Sequence, residues 1–184
     1  MRRTRARDAS AEVVFRMGGP APVGDVVVVL TEAGIAACAP ADTLPHAVSR
    51  TESPASERAR FGPLLARIEA AFRTGETAGL PLDLRDLPPF QAAVLRATAT
   101  IPPGEVRTYG ELATMAGRPR AARAAGAALA RNPIPFLVPC HRVVPAAGGT
   151  GNYGLGPELK GRLLALEGAV SSADGGFAPA VRQA

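Results

Sequence analysis

Phe136-Leu-Val-Pro-Cys-His-Arg-Val-Val144 is the stretch on which the rest of the chain turns. An apolar run brings Cys140 beside His141, one of only two histidines, with Pro139 before the pair and Arg142 after it. Proline fixes its own φ and pushes Val138 toward an extended conformation, so the stretch reads as a buried strand that breaks into a turn and presents a thiol there. A thiol is chemically useful as the thiolate, and neighbouring basic groups favour that form. Adjacent side chains on an extended chain point to opposite faces, so a Cys140–His141 relay needs the turn or a bridging water. The competing reading is a small, inert, buried hydrophobe.

Working outward, 184 residues suit one medium domain or two small ones sharing an interface. Hydrophobic residues make up 47%, enough for a core, although aromatics are only 4% and Trp is absent. Arg replaces Lys almost everywhere, Lys160 being the single lysine. Charge is unevenly placed: +3 over residues 1–8, −2 over 9–99, +4 over 100–170 and zero beyond. The half that carries Cys140 is therefore basic, which favours a polyanionic partner such as nucleic acid. Cys38 and Cys140 are too far apart and too few for a secreted disulfide framework. Two Cys and two His could hold zinc only by consuming the nucleophile, so no metal and no cofactor is expected. The longest apolar strand-like run, Val26–Leu30, is far short of a membrane span. The Arg-rich start has no apolar core behind it and reads as a basic tail, so a soluble, cytoplasmic protein is expected.

The N-terminal half alternates as strands over Ala11–Met17, Asp25–Leu30 and Ile35–Ala39, with Thr31-Glu-Ala-Gly34 as a hairpin turn. Phe61–Thr74 repeats Leu64, Ile68 and Phe72 at helical spacing, with Pro63 suited to the first turn and Gly75 to the stop. Gly75–Leu87 reads as a linker with one short strand. The second half is helical. Pro88-Pro89 opens a helix facing Phe90, Val94 and Ala97 to a core, and Thr108-Tyr-Gly-Glu111 is a capping box for the next one. Pro119 starts a further helix ending before Asn132-Pro133, and the pair reads as a helix-turn-helix.

That last helix is nearly all Ala and Gly, with Arg120 and Arg123 projecting. Base readers in the major groove need long polar side chains. Small residues instead permit close, sequence-indifferent approach in a minor groove, with an Arg free to enter the base stack when a nucleotide is extruded. Simple close packing inside the protein explains the same composition. Finally, Pro157–Glu167 reads as a helix with Leu159, Leu163 and Leu166 on one face. Glu167 lies in its last turn, where the dipole disfavours an anion unless it is solvated or paired with a cation such as protonated His141.

Several spaced motifs agree in order: Pro89-Phe-Gln91, Ile101-Pro-Pro-Gly-Glu105, Thr108-Tyr-Gly-Glu-Leu-Ala113, Ala121-Ala-Arg-Ala-Ala-Gly126, Asn132-Pro133, Val138-Pro-Cys-His-Arg-Val143 and Leu166-Glu-Gly168. Over about residues 88–169 the chain resembles the DNA alkyltransferases that repair O6-alkylguanine. The resemblance implies an α+β protein. A small ribonuclease-H-like N-terminal α/β domain with its linker would span 11–87. A mostly helical winged-helix or helix-turn-helix domain would span 88–170, and flexible tails would cover 1–10 and 171–184.

The resemblance also implies roles. Cys140 accepts the alkyl group of O6-alkylguanine, and of O4-alkylthymine, from a flipped-out nucleotide, once per molecule. His141 removes the thiol proton through a water, Glu167 orients His141, Asn132 braces the turn, and Tyr109 aids nucleotide rotation and the leaving group. Arg123 fills the vacated stack, and Ala121, Ala122, Ala124 and Gly126, with Arg120 and Tyr109, form the minor-groove face. Leu129, Pro135, Val143, Asn152, Tyr153 and Gly154 form the pocket. The partner implied is double-stranded DNA bound by a monomer, with cooperativity left open. Two other readings stay open: a DNA-binding damage sensor without chemistry, and a cysteine hydrolase using Cys140 and His141.

Overall fold

The computed structural model describes residues 12–43 and 54–169. The expected tails, and His46, lie outside them. Three strands, β1 (Val13–Gly18), β2 (Asp25–Thr31, rich in valine) and β3 (Gly34–Pro40), form an antiparallel meander in the order β1-β2-β3. Val13 pairs with Leu30 and Thr31 with Gly34, so the β2–β3 turn falls at Glu32-Ala33, and the register slips at Val29/Leu30. Gly34 is required there: its φ is +127° and an added Cβ would lie 2.3 Å from the Pro81 carbonyl oxygen.

Helix α1 (Ala55–Thr74) is longer than expected. Pro63 lies inside it rather than in its first turn, and Phe61, Leu65, Ile68 and Ala71 form its buried face. Phe61 meets Phe15 of β1 edge-on at 6.0 Å between centroids, an attractive aromatic geometry. The helix continues ahead of the proline because its inner face is anchored to the sheet on both sides of Pro63. Gly75, at φ 78°, terminates it with its amide donating to the Ala71 carbonyl.

The C-terminal half contains α2 (Pro89–Ala99), a short β4 (Arg107–Thr108), α3 (Tyr109–Met115), α4 (Ala122–Leu129), β5 (Val143–Val144) and α5 (Pro157–Leu166). Helix α2 buries Val94 and Leu95 completely, each contributing roughly 1.5–3 kcal/mol. The capping box forms: the Thr108 hydroxyl accepts from the Glu111 amide at 3.2 Å, and the Glu111 carboxylate accepts from the Thr108 amide at 2.7 Å. Helix α4 starts at Ala122, not at Pro119, with Ala121 as its N-cap and Arg120 before it. The Ala121 amide is taken instead by the Arg118 carbonyl in a preceding turn.

Two further expectations are corrected. The stretch ahead of Cys140 is not a strand. Phe136 takes a positive φ of 71°, Val138 makes only an isolated bridge to Pro135, and Cys140–Arg142 form a single 3-10 turn. A backbone that reverses at Phe136 cannot extend a ladder, so only Val143–Val144 pair, in parallel with β4. In α5 the buried face is Lys160, Leu163 and Leu164, whereas Leu166 is 64% exposed. One apolar core runs through both halves, linking Phe15, Ile68 and Cys38 with Leu95, Ile134 and Leu137. The Cys38 amide also donates across the boundary to the Pro133 carbonyl.

Candidate active site

Cys140 opens the 3-10 turn and lines a cavity of about 670 Å³. Asn132, just after α4, sets this turn with one side chain. Its amide nitrogen donates to the Val138 carbonyl at 3.0 Å and to the Cys140 sulfur at 3.3 Å, while its carbonyl accepts from the Ile134 amide at 3.0 Å. The helical pair is thereby wired to the thiol. Gln91 braces the same corner by donating to the carbonyls of Ala128 and Arg131 at the end of α4.

The turn points His141 away from the cavity. Its ring is 2% exposed, and Nε2 lies 2.9 Å from Glu167 Oε1. Burial drives the Glu167 carboxyl upward, but hydrogen bonds from His141 and Arg142 outweigh it and hold the group down at about 2. An ionised carboxylate only accepts, so Nε2 carries the proton and the basic lone pair of neutral imidazole sits on Nδ1. Nδ1 is buried without a hydrogen-bond partner among the described residues. Burial also holds His141 below the ordinary histidine range, against the opposing pull of Glu167, so the ring is neutral at pH 7.

The thiol corrects the simple expectation of a thiolate favoured by adjacent His and Arg. Burial pushes Cys140 above its ordinary value. Neither sequence neighbour offsets this, because both face Glu167. The groups favouring the anion are Asn132, then the Tyr153 hydroxyl, then the Lys160 ammonium. The Tyr153 hydroxyl is buried beside the sulfur but forms no well-directed hydrogen bond. The resting sulfur is therefore a thiol, and ionisation has to accompany reaction.

Lys160 and Arg142 were not singled out as site residues by the sequence. Lys160 is fully buried, donates to the Val143 carbonyl at 2.6 Å and lies 6.0 Å from the Tyr153 ring centroid. Burial brings its ammonium down to about 8. The only sequence signal was its being the sole lysine in an arginine-rich chain.

Of the expected pocket residues, Leu129, Pro135, Asn152, Tyr153 and Gly154 line the cavity, as do Tyr109 and Gly126. Val143 does not: it is fully buried in β5, facing the core. Ala127, Ala130 and Leu155 line the cavity in addition. Helix α4 divides its small residues between both readings of its composition. Ala125 and Ala128 are buried, whereas Arg123, Ala124 and Ala127 are exposed, with Ala121, Ala122 and Gly126 half-buried and Arg120 exposed ahead of them. Among the described residues no His, Cys, Asp and Glu side chains group as a metal site, and no helix is long and apolar enough to cross a membrane.

Residues 89–169 match the family model described as 6-O-methylguanine DNA methyltransferase, DNA binding domain. The Mycobacterium leprae methylated-DNA–protein-cysteine methyltransferase is 45% identical over 60% of this chain and 67% of that protein. This chain belongs to that family. The corresponding Mycolicibacterium paratuberculosis protein is 53% identical over 48% of this chain, and the match spans about half of that relative, 53%. Structural similarity to the family extends further. The crystal structure of Mycobacterium tuberculosis O6-methylguanine methyltransferase has a TM-score of 0.62 at 33% identity, covering 88% of this chain and 97% of that one. A crystal structure of Mycobacterium tuberculosis OGT in complex with DNA has a TM-score of 0.63 at 34% identity, covering 86% and 94%. The mixed helix-and-sheet architecture is thus that of the alkyltransferase family.

Proposed function

We propose that this protein reverses DNA alkylation by moving the alkyl group of O6-alkylguanine, and of O4-alkylthymine, onto Cys140, irreversibly and once per molecule. The observation that carries this reading is the placement of a thiol on the wall of a cavity roomy enough for an extruded nucleotide, beside a helix of small residues, with a buried His–Glu pair behind it. The thiol proton passes through a water to His141 Nδ1, and Glu167 stabilises the imidazolium. As the sulfur–carbon bond forms, the carbon–O6 bond breaks and its electron pair stays on the guanine. One proton neutralises the base, so the net transfer is alkyl to sulfur and proton to guanine. Tyr109, on the cavity wall, hydrogen-bonds the departing ring. Among the described residues no second thiol, imidazole or amine lines the cavity to cleave the thioether, which limits each molecule to one event.

Double-stranded DNA is the partner, met from the minor groove by the outer face of α4, where Arg123 projects from alanines and replaces the extruded nucleotide. The α3–α4 pair with the β4–β5 ladder is read as a winged helix-turn-helix over 88–170. The meander with α1 is read as a reduced ribonuclease-H-like unit over 11–87. The protein acts as a cytoplasmic monomer. Incubation with duplex O6-methylguanine DNA, followed by intact-mass and peptide analysis, tests the reading. One methylene added to Cys140 and none to a Cys140→Ala protein is expected. Repeated turnover would establish a hydrolase instead, and DNA binding without mass change a sensor.

A further inference from the structure

The Arg142 guanidinium is the most heavily bonded side chain near the site and has no part in the relay described so far. It is 1% exposed. Nε donates to Glu167 Oε2 at 2.9 Å and one terminal nitrogen to Oε1 at 2.7 Å, a two-point fork on the carboxylate that also accepts from His141. The remaining donors reach two backbone carbonyls: Ile101, just past α2, at 2.5 Å and Gly75, at the end of α1, at 2.6 Å. The guanidinium is thus fixed from both halves of the chain, 67 residues separating it from Gly75.

The brace has something to resist. A cavity of about 240 Å³ adjoins the relay and is lined by Thr74, Gly75, His141, Arg142 and Glu167 among others. Glu167 caps the end of α5, where the helix dipole repels an anion. Without a fixed cation, its carboxylate has both room and reason to swing from the imidazole. Gly75 is fitted to the contact: a Cβ there would lie 3.0 Å from the guanidinium, 3.0 Å from Pro103 Cβ and 3.5 Å from Glu167 Oε1.

We propose that Arg142 is a positioning residue for alkyl transfer, through which the Gly75 end of α1 holds the Glu167 carboxylate on His141. The N-terminal half is then part of the relay and more than its scaffold. The proposal rests on the alkyl-transfer reading above, and the wild-type protein separates the two: absence of alkylated Cys140 in wild type refutes that reading itself.

The experiment measures single-turnover transfer from free O6-benzylguanine, which requires no DNA, in Arg142→Met and Gly75→Ala proteins, each with and without Glu167→Gln. A positioning role predicts slowing of about tenfold or more in the Glu167 background and less than about twofold once Glu167 is Gln. It also predicts that the low-field NMR line of the His141 Nε2 proton, present in wild type, disappears in both single variants. Equal slowing in both backgrounds, wild-type rates, or an unchanged proton line would overturn it. Gly75→Ala deletes no polar group and is read where Arg142→Met does not fold. Failure of both to fold would assign the contact to stability alone and also overturn the proposal.

Discussion

Replacing Glu167 by Gln keeps the side chain's shape and one acceptor but removes the charge between His141 and Arg142. The carboxyl is held at about 2 against an ordinary 4.5. At about 1.4 kcal/mol per pH unit, that difference is worth about 3 kcal/mol of native stability. The sign follows from the depressed value. The contribution is complete above pH 4.5, where the unfolded carboxyl is ionised too, and is lost as pH falls toward about 2. Because the side chain is only 14% exposed, solvent screening removes little of it. The Gln protein is therefore expected to lose about 3 kcal/mol relative to wild type at pH 7 in urea titrations, and distinctly less at pH 3. Transfer should slow about a hundredfold or more, since the imidazolium loses its counter-charge. A gap between the two proteins that is the same at pH 3 and pH 7, or a Gln protein as stable as wild type at pH 7, would refute the assignment of charge to this pair.

Arg123→Ala should slow repair in duplex DNA about tenfold while leaving reaction with free O6-benzylguanine near the wild-type rate, because only the duplex has a stack to refill. Equal slowing of both would remove Arg123 from that role. Lys160→Met deletes a buried cation that favours the thiolate. The pH at which transfer accelerates should therefore move upward, with rates at pH 7 falling several-fold. An unshifted pH–rate profile would show that the ammonium serves only the Val143 carbonyl.

Local chemistry was readable without coordinates. Thr108 and Glu111 are three residues apart and bond reciprocally, as a capping box requires, and the β2–β3 turn falls between Thr31 and Gly34. The Cys140, His141, Glu167 and Asn132 constellation came from matched motifs. Its geometry could not, because neighbours on a chain need not face one another. His141 and Arg142 both turn from the sulfur, which left the thiol's environment to Asn132, Tyr153 and Lys160. Those partners, and the four bonds of Arg142, join residues 8 to 67 positions apart and leave no periodic trace. Pro63 misled for a related reason: a proline suggests a helix start, but burial of Phe61 against Phe15 carries the helix past it.

The cavity wall has a chemical consequence of its own. Imidazole and the amine form of lysine are alkylated by the same electrophiles as thiols, and the site holds the His141 ring and Lys160, whose ammonium burial brings down to about 8. Yet His141 is 2% exposed and Lys160 0%, and neither borders the large cavity. An incoming alkyl carbon meets sulfur alone. In the proposed transfer, the choice of acceptor is made by occlusion before relative nucleophilicity is consulted, and the nitrogen assigned to collect the proton is spared the fate of the atom assigned to keep the carbon.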